Sequence, residues 1–259
     1  MVSIATWNVN SVNARLPNLL EWLAGAGPDI VLLQEIKCVD EAFPREAIED
    51  AGYNVAVHGQ KSYNGVAILS RAPIDEAMPG LPGDDADEQA RYLEASIGGV
   101  RVATIYLPNG NPIGTDKFAY KLGWMARLRR HAARLLEDDQ PLVLGGDYNV
   151  IPEPLDARDP GEWLGDALFQ PESRAAFRAL LHLGLTEAFR ALHPGEGGYY
   201  SFWDYQGRAW DRDDGIRIDH LLLSAAAADR LESCVIDKAP RGRPRASDHT
   251  PVIVTLRDG

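Results

Sequence analysis

The chain has 259 residues, and its 26 Lys and Arg stand against 38 Asp and Glu, which gives a formal charge of −12. An acidic chain is a poor candidate for coating nucleic acid indiscriminately, because its average field repels phosphate. A local basic face remains possible, and a surplus of carboxylates suits a bound cation.

Cysteine content and the first residues bear on the compartment. The two cysteines, Cys38 and Cys234, have no metal-type spacing and are expected to be free thiols in a reducing compartment. The start of the chain lacks the pattern of a signal peptide, and no apolar run has the length of a membrane span. We therefore expect a cytoplasmic protein with no membrane contact. No linker-like stretch divides the sequence, so we expect one domain over residues 1–259.

Apolar runs rich in Val and Ile alternate with helical stretches, which predicts an α/β domain. The predicted strands cover residues 3–7, 29–33, 54–57, 66–69, 93–97, 101–106, 142–144, 217–223 and 252–256. Short turns such as residues 98–99 favour antiparallel hairpins beside any parallel pairs, so a mixed sheet is expected. Apolar residues at intervals of three and four predict helices at about 116–136 and 171–183.

Polar side chains follow several of these apolar runs. They occur in WNVN at 7–10, QE at 34–35, YLPN at 106–109, GGDYN at 145–149, RIDH at 217–220 and SDH at 247–249. Any one of them, taken alone, is best explained as a turn or a solvated strand end. Side chains at strand ends converge on clefts, however, and six such ends in one domain favour a shared site.

The residue types at these ends share one chemistry. Four carboxylates offer hard oxygen ligands for Mg²⁺ or acceptors for a proton of water: Glu35, Asp147, Asp219 and Asp248. Three amides can hold phosphate oxygens without adding charge: Asn8, Asn109 and Asn149. His249 pairs naturally with a carboxylate to act on a phosphate oxygen. The sequence has no zinc-type Cys/His cluster, Walker lysine motif or Gly-x-Ser-x-Gly elbow. The set predicts metal-assisted phosphodiester hydrolysis.

The ordered series WNVNS, LLQEIK, NGVAILS, YLPNGN, GGDYN, FWDY, RIDHLLLS and SDHTPV resembles the exonuclease III family of abasic-site endonucleases, in the endonuclease/exonuclease/phosphatase superfamily. The resemblance extends over residues 4–256, and YLPNGN and FWDY…RIDHLLLS are its most particular motifs. It implies a four-layer α/β sandwich, in which two packed mixed β-sheets are flanked by helices.

The resemblance also implies roles for the matching residues. Three residues would hold or assist the metal, expected to be Mg²⁺ with Mn²⁺ as a substitute: Asn8, Glu35 and Asp248. Six would be catalytic, acting on the water, the phosphate or the histidine: Tyr106, Asn109, Asp147, Asn149, Asp219 and His249. Three would form an apolar pocket for a flipped-out sugar without a base: Phe202, Ile216 and Ile218.

The expected substrate is double-stranded DNA with abasic sites or blocked 3′ ends. The resemblance implies cleavage 5′ to the abasic site, with 3′-phosphodiesterase, 3′-phosphatase and 3′→5′ exonuclease activities. Basic residues predicted to contact DNA phosphates are Lys117, Lys121, Arg217, Arg241 and Arg243, with Lys61 and Arg245 as further candidates. We expect a monomer that associates with a bacterial-type nucleoid through DNA.

Three alternatives remain open at this point. One is a family member specialised for trimming 3′ ends, with weak abasic cleavage. Another is a phosphodiesterase of the same superfamily that acts on inositol lipids or sphingomyelin, or a deoxyribonuclease I-like nuclease, none of which needs the apolar pocket. The third is a non-catalytic binding module, which predicts broken catalytic positions, whereas the central positions here are filled.

Overall fold

In the computed structural model, residues 1–25 and 27–259 are described, and within them the strands form two six-stranded sheets. The first sheet has, in spatial order, β11 (Leu231–Ile236), β12 (Val252–Leu256), β1 (Val2–Asn8), β2 (Ile30–Gln34), β4 (Val66–Ser70) and β3 (Asn54–His58). The second has β5 (Glu76–Pro79), β6 (Tyr92–Ile97), β7 (Val100–Tyr106), β8 (Leu142–Asp147), β10 (Asp219–Leu223) and β9 (Thr186–Glu187).

Both sheets are mixed, as predicted. In the first, β1 runs parallel to β2, and the remaining pairs are antiparallel. In the second, β7 runs parallel to β8, and the remaining pairs are antiparallel. Each sheet therefore has one parallel pair near its centre, and the carboxyl ends of such a pair meet at one edge.

Helices cover the outer face of each sheet. The helices are α1 (Val12–Gly25), α2 (Arg45–Asp50), α3 (Asp116–Leu135), α4 (Pro171–Leu181), α5 (Ala188–Leu192) and α6 (Ala225–Ala228). Trp22 of α1 and Ile48 of α2 pack on the first sheet, while Trp124 of α3 and Phe177 of α4 pack on the second.

The inner faces of the two sheets meet in a further apolar cluster, which includes Ile4, Leu32, Val143 and Leu221. The predicted four-layer α/β sandwich is thereby confirmed. Burial of apolar surface at about 25 cal/mol per Å² makes these three interfaces the main stabilising contribution. Among the described residues, no helix is both long and apolar enough to cross a membrane.

The structure corrects some predicted boundaries. The strand predicted at 217–223 begins only at Asp219, because the two preceding residues bond elsewhere: Arg217 N–H donates to the carbonyl of Asp156 at 2.8 Å, and Ile218 N–H donates to Ser201 Oγ at 3.1 Å. Helix α1 was not predicted, although its buried Leu19 and Leu23 are spaced four residues apart, as on one helix face.

Candidate active site

The site lies where the ends of the two sheets approach each other. Asn8 ends β1, Glu35 follows β2, and Asp147 ends β8. Asn8 Nδ2 donates to Glu35 Oε1 at 2.8 Å and to Asp147 Oδ2 at 3.0 Å, so one amide joins carboxylates from both sheets. Because β10 is antiparallel to β8, its first residue Asp219 pairs with Asp147 across the ladder.

His249 completes a chain of three side chains. Its Nδ1 lies 2.8 Å from Asp219 Oδ2, and its Nε2 lies 3.6 Å from Asp147 Oδ2. Burial lowers the pKa of His249, but the neighbouring Asp219 and Asp147 outweigh that effect and raise it to about 10. The imidazole is therefore a buried cation at neutral pH, with its Nδ1–H donated to Asp219.

Asp147 is the carboxyl group at the centre of the site. Its Oδ1 accepts from the backbone N–H of Asn149 at 2.9 Å, and its Oδ2 accepts from Asn8. Burial raises the pKa of Asp147 to about 7, opposed by the charge of His249 and assisted by that of Asp219. A carboxyl group whose pKa lies near neutral pH is well placed to accept a proton.

Two loops bring further polar groups to the same place. Asn109 Nδ2 donates to Asn149 Oδ1 at 3.2 Å, and Asn149 Nδ2 donates to the carbonyl of Leu107 at 2.9 Å. Burial and the nearby charges of Glu35 and Asp147 raise the pKa of Tyr106 well above its usual range, so its phenol stays neutral. The cleft therefore presents neutral donors beside its charged groups.

The backbone at this site is held in an unusual conformation. Glu35 has φ of 51° and Asn149 has φ of 47°, both in the left-handed region. Asn tolerates that region, whereas Glu adopts it at a cost of roughly 1–3 kcal/mol. Such conformations persist only where the surrounding structure enforces them, and they concentrate at functional sites.

The donor set fits a hard divalent cation. Ligand-capable atoms of Glu35, Asp147 and His249 all lie within 4.8 Å of one another. His249, being cationic, has no lone pair to offer, so the carboxylates of Glu35 and Asp147 are the members of this group that could hold a cation. Lys37 Nζ already lies 2.9 Å from Glu35 Oε2, which shows that this position attracts positive charge. In the described part of the chain, the buried Asp219 Oδ1 has no hydrogen-bond partner, while its Oδ2 is paired with His249.

Asp248 lines the same cleft but lies outside that group. Its Oδ1 accepts from Asn10 Nδ2 at 3.1 Å. Lys37 Nζ donates to Asn10 Oδ1 at 2.5 Å, so Asn10 connects Asp248 to the lysine beside Glu35.

An apolar wall borders the polar groups. The cleft has a volume of about 280 Å³, and Phe202 and Ile218 line it together with Trp163 and Leu168. The Phe202 ring lies 5.0 Å from the His249 ring, measured between centroids. Ile216 lies in the same apolar cluster but lines an adjoining cavity of about 370 Å³ instead.

Trp163 and Leu168 were missed from the sequence. They lie between strands, where neither periodicity nor a polar strand end marks them. The position of a tryptophan between the motifs GGDYN and FWDY was the one available signal.

Two of the predicted DNA contacts are wrong. Lys121 is completely buried, and its Nζ donates to the backbone carbonyls of Asn109 at 3.0 Å and Asn149 at 2.5 Å. Burial lowers the pKa of Lys121 to about 7. The lysine thus lies beneath the loops that carry Asn109 and Asn149, and its buried ammonium group is not available to DNA phosphate.

Arg217 is also buried, with 2% of its surface exposed. Its Nε lies 2.8 Å from Asp156 Oδ1, and its NH1 lies 2.9 Å from Glu187 Oε1. Both carboxylates satisfy the guanidinium internally. Lys117 and Lys61 are exposed, Arg243 is half-buried, and Arg241 is buried at the wall of a separate cavity.

The structure has two facing mixed sheets with a carboxylate–histidine centre where their ends adjoin. This arrangement is typical of a class of hydrolases, and a family comparison of the sequence supports the same class. The pattern of the Endonuclease/Exonuclease/phosphatase family matches residues 5–249, so the chain belongs to that family. It is therefore an enzyme of the hydrolase class.

Individual relatives match over the whole length. The chain is 35% identical over 258 residues to exodeoxyribonuclease III of Haemophilus influenzae, covering 95% of this chain and 97% of the relative. NExo, a 3′ phosphatase from Neisseria whose structure was solved with a product DNA hairpin, has a TM-score of 0.97 at 39% identity over 100% of each chain. An AP endonuclease from Archaeoglobus fulgidus has a TM-score of 0.95 at 36% identity over 99% of each chain.

Proposed function

We propose that this chain, as a single domain over residues 1–259, is a Mg²⁺-dependent DNA-repair phosphodiesterase that cleaves duplex DNA 5′ to abasic sites. Removal of blocked 3′ ends and 3′→5′ exonuclease action are its further activities. The observation that carries the proposal is the Asp219–His249–Asp147 arrangement beside Glu35, in a cleft with one apolar wall.

Glu35, with Asn8 and Asp147 beside it, would hold the cation. Mg²⁺ prefers such hard oxygen ligands, and Mn²⁺ would substitute. When bound, the ion supplies positive charge against the phosphate oxygens as negative charge accumulates on them. Asp248 would assist at the edge of this position.

Asp147 would take a proton from the attacking water. Positive charge near its carboxylate, from His249 and from a bound ion, favours the ionised form that can accept a proton. Its Oδ1 is held by the Asn149 N–H, which fixes the direction in which Oδ2 points. Positioning of this kind accounts for a large share of the catalysis of phosphoryl transfer.

His249 would donate from Nε2 to a non-bridging phosphate oxygen, since Asp219 keeps the ring cationic and oriented. Tyr106 and Asn109 would donate to the same phosphate from the other side of the cleft. All three are positioned before substrate arrives, so little reorganisation accompanies the reaction.

The apolar wall would receive the sugar at the lesion. A nucleotide without a base costs least to extrude from a duplex, and an apolar surface of Phe202, Ile218, Trp163 and Leu168 has no partner for a base edge. Ile216 would support Phe202 from behind, with which it forms a bridge.

A second candidate is a specialist in 3′-end processing. The similarity to the 3′ phosphatase NExo, over 100% of each chain, favours it. The same groups would act on a terminal phosphate, with the apolar wall against the last sugar. We regard the protein as a cytoplasmic monomer in either case.

The test uses three labelled duplexes of one sequence: with an internal abasic analogue, with a nick ending in 3′-phosphate, and intact. Each is incubated with Mg²⁺, with Mn²⁺ and with EDTA, and the product ends are identified by gel mobility. Metal-dependent incision 5′ to the analogue is expected.

Release of phosphate from the nick without incision would establish the second candidate instead. Hydrolysis of an inositol phospholipid or sphingomyelin, with all three duplexes untouched, would contradict both.

A further inference from the structure

A second cavity, separate from the catalytic cleft, is lined by four arginines. It has a volume of about 400 Å³, and its wall contains Arg15, Arg241, Arg243 and Arg245 together with Tyr205. Arg15 belongs to α1, and the other three arginines lie in the segment that leads to His249. In a chain of formal charge −12, four guanidinium groups around one cavity mark a local site for an anion.

Most of these arginines lack an acidic partner. Among the described residues, Arg15, Arg241 and Arg245 have no carboxylate oxygen within 4.0 Å, whereas Arg243 pairs with Glu21 at 3.2 Å. Arg15 NH2 donates to Tyr205 at 3.0 Å. Among the described residues, Arg243 is therefore the one of the four in a direct ion pair, while Asp204, Asp211 and Asp248 act on Arg241 from a greater distance.

Arg241 is the most deeply placed of the four, with 8% of its surface exposed. Its NH2 donates to the carbonyl of Trp203 at 3.0 Å, and its guanidinium lies over the rings of Tyr205 and Trp210. In the part of the chain that the structure describes, the buried Nε atoms of Arg15 and Arg241 have no hydrogen-bond partner. A buried donor without a partner costs free energy, so the hydrogen-bonding capacity of these two guanidinium groups is not fully used within the chain.

One layer of side chains separates this cavity from the catalytic cleft. The hydroxyl of Tyr205 accepts from Asn10 Nδ2 at 3.3 Å and donates to the carbonyl of Ala246 at 2.9 Å. The same Asn10 Nδ2 donates to Asp248, which lines the catalytic cleft. The arginine cavity and the catalytic cleft are therefore adjacent, connected through Tyr205 and Asn10.

We propose that the arginine cavity is a subsite for a second phosphate group of the DNA, close to the scissile phosphate along the bound strand. The proposal rests on the proposed function. Guanidinium groups match phosphate oxygens with paired hydrogen bonds, and contacts of this kind fix the register of a strand. The occupant is either an internal phosphodiester or a terminal phosphate at a nick, and both share this chemistry.

The first measurement is duplex binding in EDTA over a series of NaCl concentrations, by fluorescence anisotropy. Arg15→Gln and Arg245→Gln are compared with wild type; Arg245 is exposed, so its substitution leaves the core intact. Each is expected to raise the Kd roughly three- to ten-fold and to reduce the slope of log K against log salt by about 1. Arg129→Gln, an exposed arginine on α3, is the matched control and keeps the wild-type slope.

The second measurement locates the phosphate. Duplexes carry a neutral methylphosphonate at one backbone position after another, or a 5′-hydroxyl in place of 5′-phosphate at a nick. At the position whose phosphate the cavity binds, the neutral replacement weakens DNA binding by wild type. It does not further weaken DNA binding by Arg245→Gln, because the two changes remove the same contact. A methylphosphonate effect identifies an internal phosphodiester, and a 5′-end effect identifies a terminal phosphate.

Two results together would overturn the subsite. The slope of log K against log salt would be unchanged in both arginine variants, and each methylphosphonate would weaken DNA binding equally in wild type and in Arg245→Gln. If wild type neither binds nor cleaves DNA, the proposed function fails separately. The cavity is then tested by calorimetric titration with inorganic phosphate, in which binding lost in Arg245→Gln supports an anion site and absence of wild-type binding refutes it.

Discussion

Replacement of Asp219 by Asn tests how the charge of His249 is maintained. Asn keeps the size of the side chain and retains an oxygen to accept from Nδ1, but it removes the negative charge 2.8 Å from the ring. The pKa of His249, about 10 against an ordinary 6.5, corresponds to about 5 kcal/mol in favour of the cation. Without Asp219 we expect it to fall toward 6.5, because burial then acts against Asp147 and the weaker effect of Asp248 alone.

The consequence is a pH-dependent loss of activity. At pH 7.5 the ring in Asp219→Asn is mostly neutral, and we expect single-turnover cleavage to fall about 10²- to 10⁴-fold. Between pH 6 and pH 9 the cleavage rate of the variant falls further as the pH rises. The cleavage rate of wild type does not fall over this range, because its His249 stays cationic. The ring resonances of His249 in the metal-free protein, followed by NMR, give the pKa directly.

Stability supplies an independent check with a defined sign. Because the folded-state pKa of His249 is raised, its stabilising contribution is complete below pH 6.5 and is lost as the pH rises through about 10. The gap in unfolding free energy between wild type and Asp219→Asn should therefore narrow from pH 6 to pH 10. A pKa near 6.5 for His249 in both wild type and Asp219→Asn would refute this reasoning.

Three further substitutions test other parts of the site. Glu35→Gln should raise the Mg²⁺ concentration for half-maximal rate by more than about ten-fold, since it weakens the charge at the proposed ion position; an unchanged metal titration would place the ion elsewhere. Lys121→Met should lower kcat with little change in the salt dependence of DNA binding, because Nζ holds two catalytic loops by their carbonyls; a reduced salt slope would restore Lys121 as a DNA contact. Arg217→Met should cost about 3 kcal/mol of unfolding free energy in urea, since it removes one of the two guanidinium partners of buried Asp156 and the guanidinium partner of buried Glu187; a loss below about 1 kcal/mol would contradict that network.

The strands that sequence reasoning missed share a position in the sheets. Strands β5, β9 and β11 all lie at sheet edges. In β11 the polar Glu232 and Ser233 interrupt the apolar pattern, and β9 has only two residues. Edge strands are covered on fewer sides than central ones, so they need no continuous apolar run, and the periodicity that identified β2 and β4 is absent.

Several residues of the candidate site follow central strands, where the sequence pattern marked them. Parallel pairing places Asn8 beside the end of β2, which Glu35 follows, and places Tyr106 beside Asp147. The approach of Glu35 to Asp147 depends instead on how the two sheets face each other, which the pattern did not specify. Lys121 and Arg217 were misjudged because residue type alone suggests exposure. Their partners lie far away in sequence, as Asp156 does for Arg217 at a separation of 61 residues, and only the fold brings them together.

Substitution of Asp147 tests the proposed active site most directly. Single-turnover cleavage of the best of the three duplexes, at saturating Mg²⁺, is compared for wild type, Asp147→Asn and the exposed control Asp138→Asn. We expect Asp147→Asn to be slower by about 10²- to 10⁴-fold with nearly unchanged DNA affinity, because it removes the acceptor for the water proton. Asp138→Asn should match wild type. A rate for Asp147→Asn within a few-fold of wild type would contradict the assignment of this cleft as the active site.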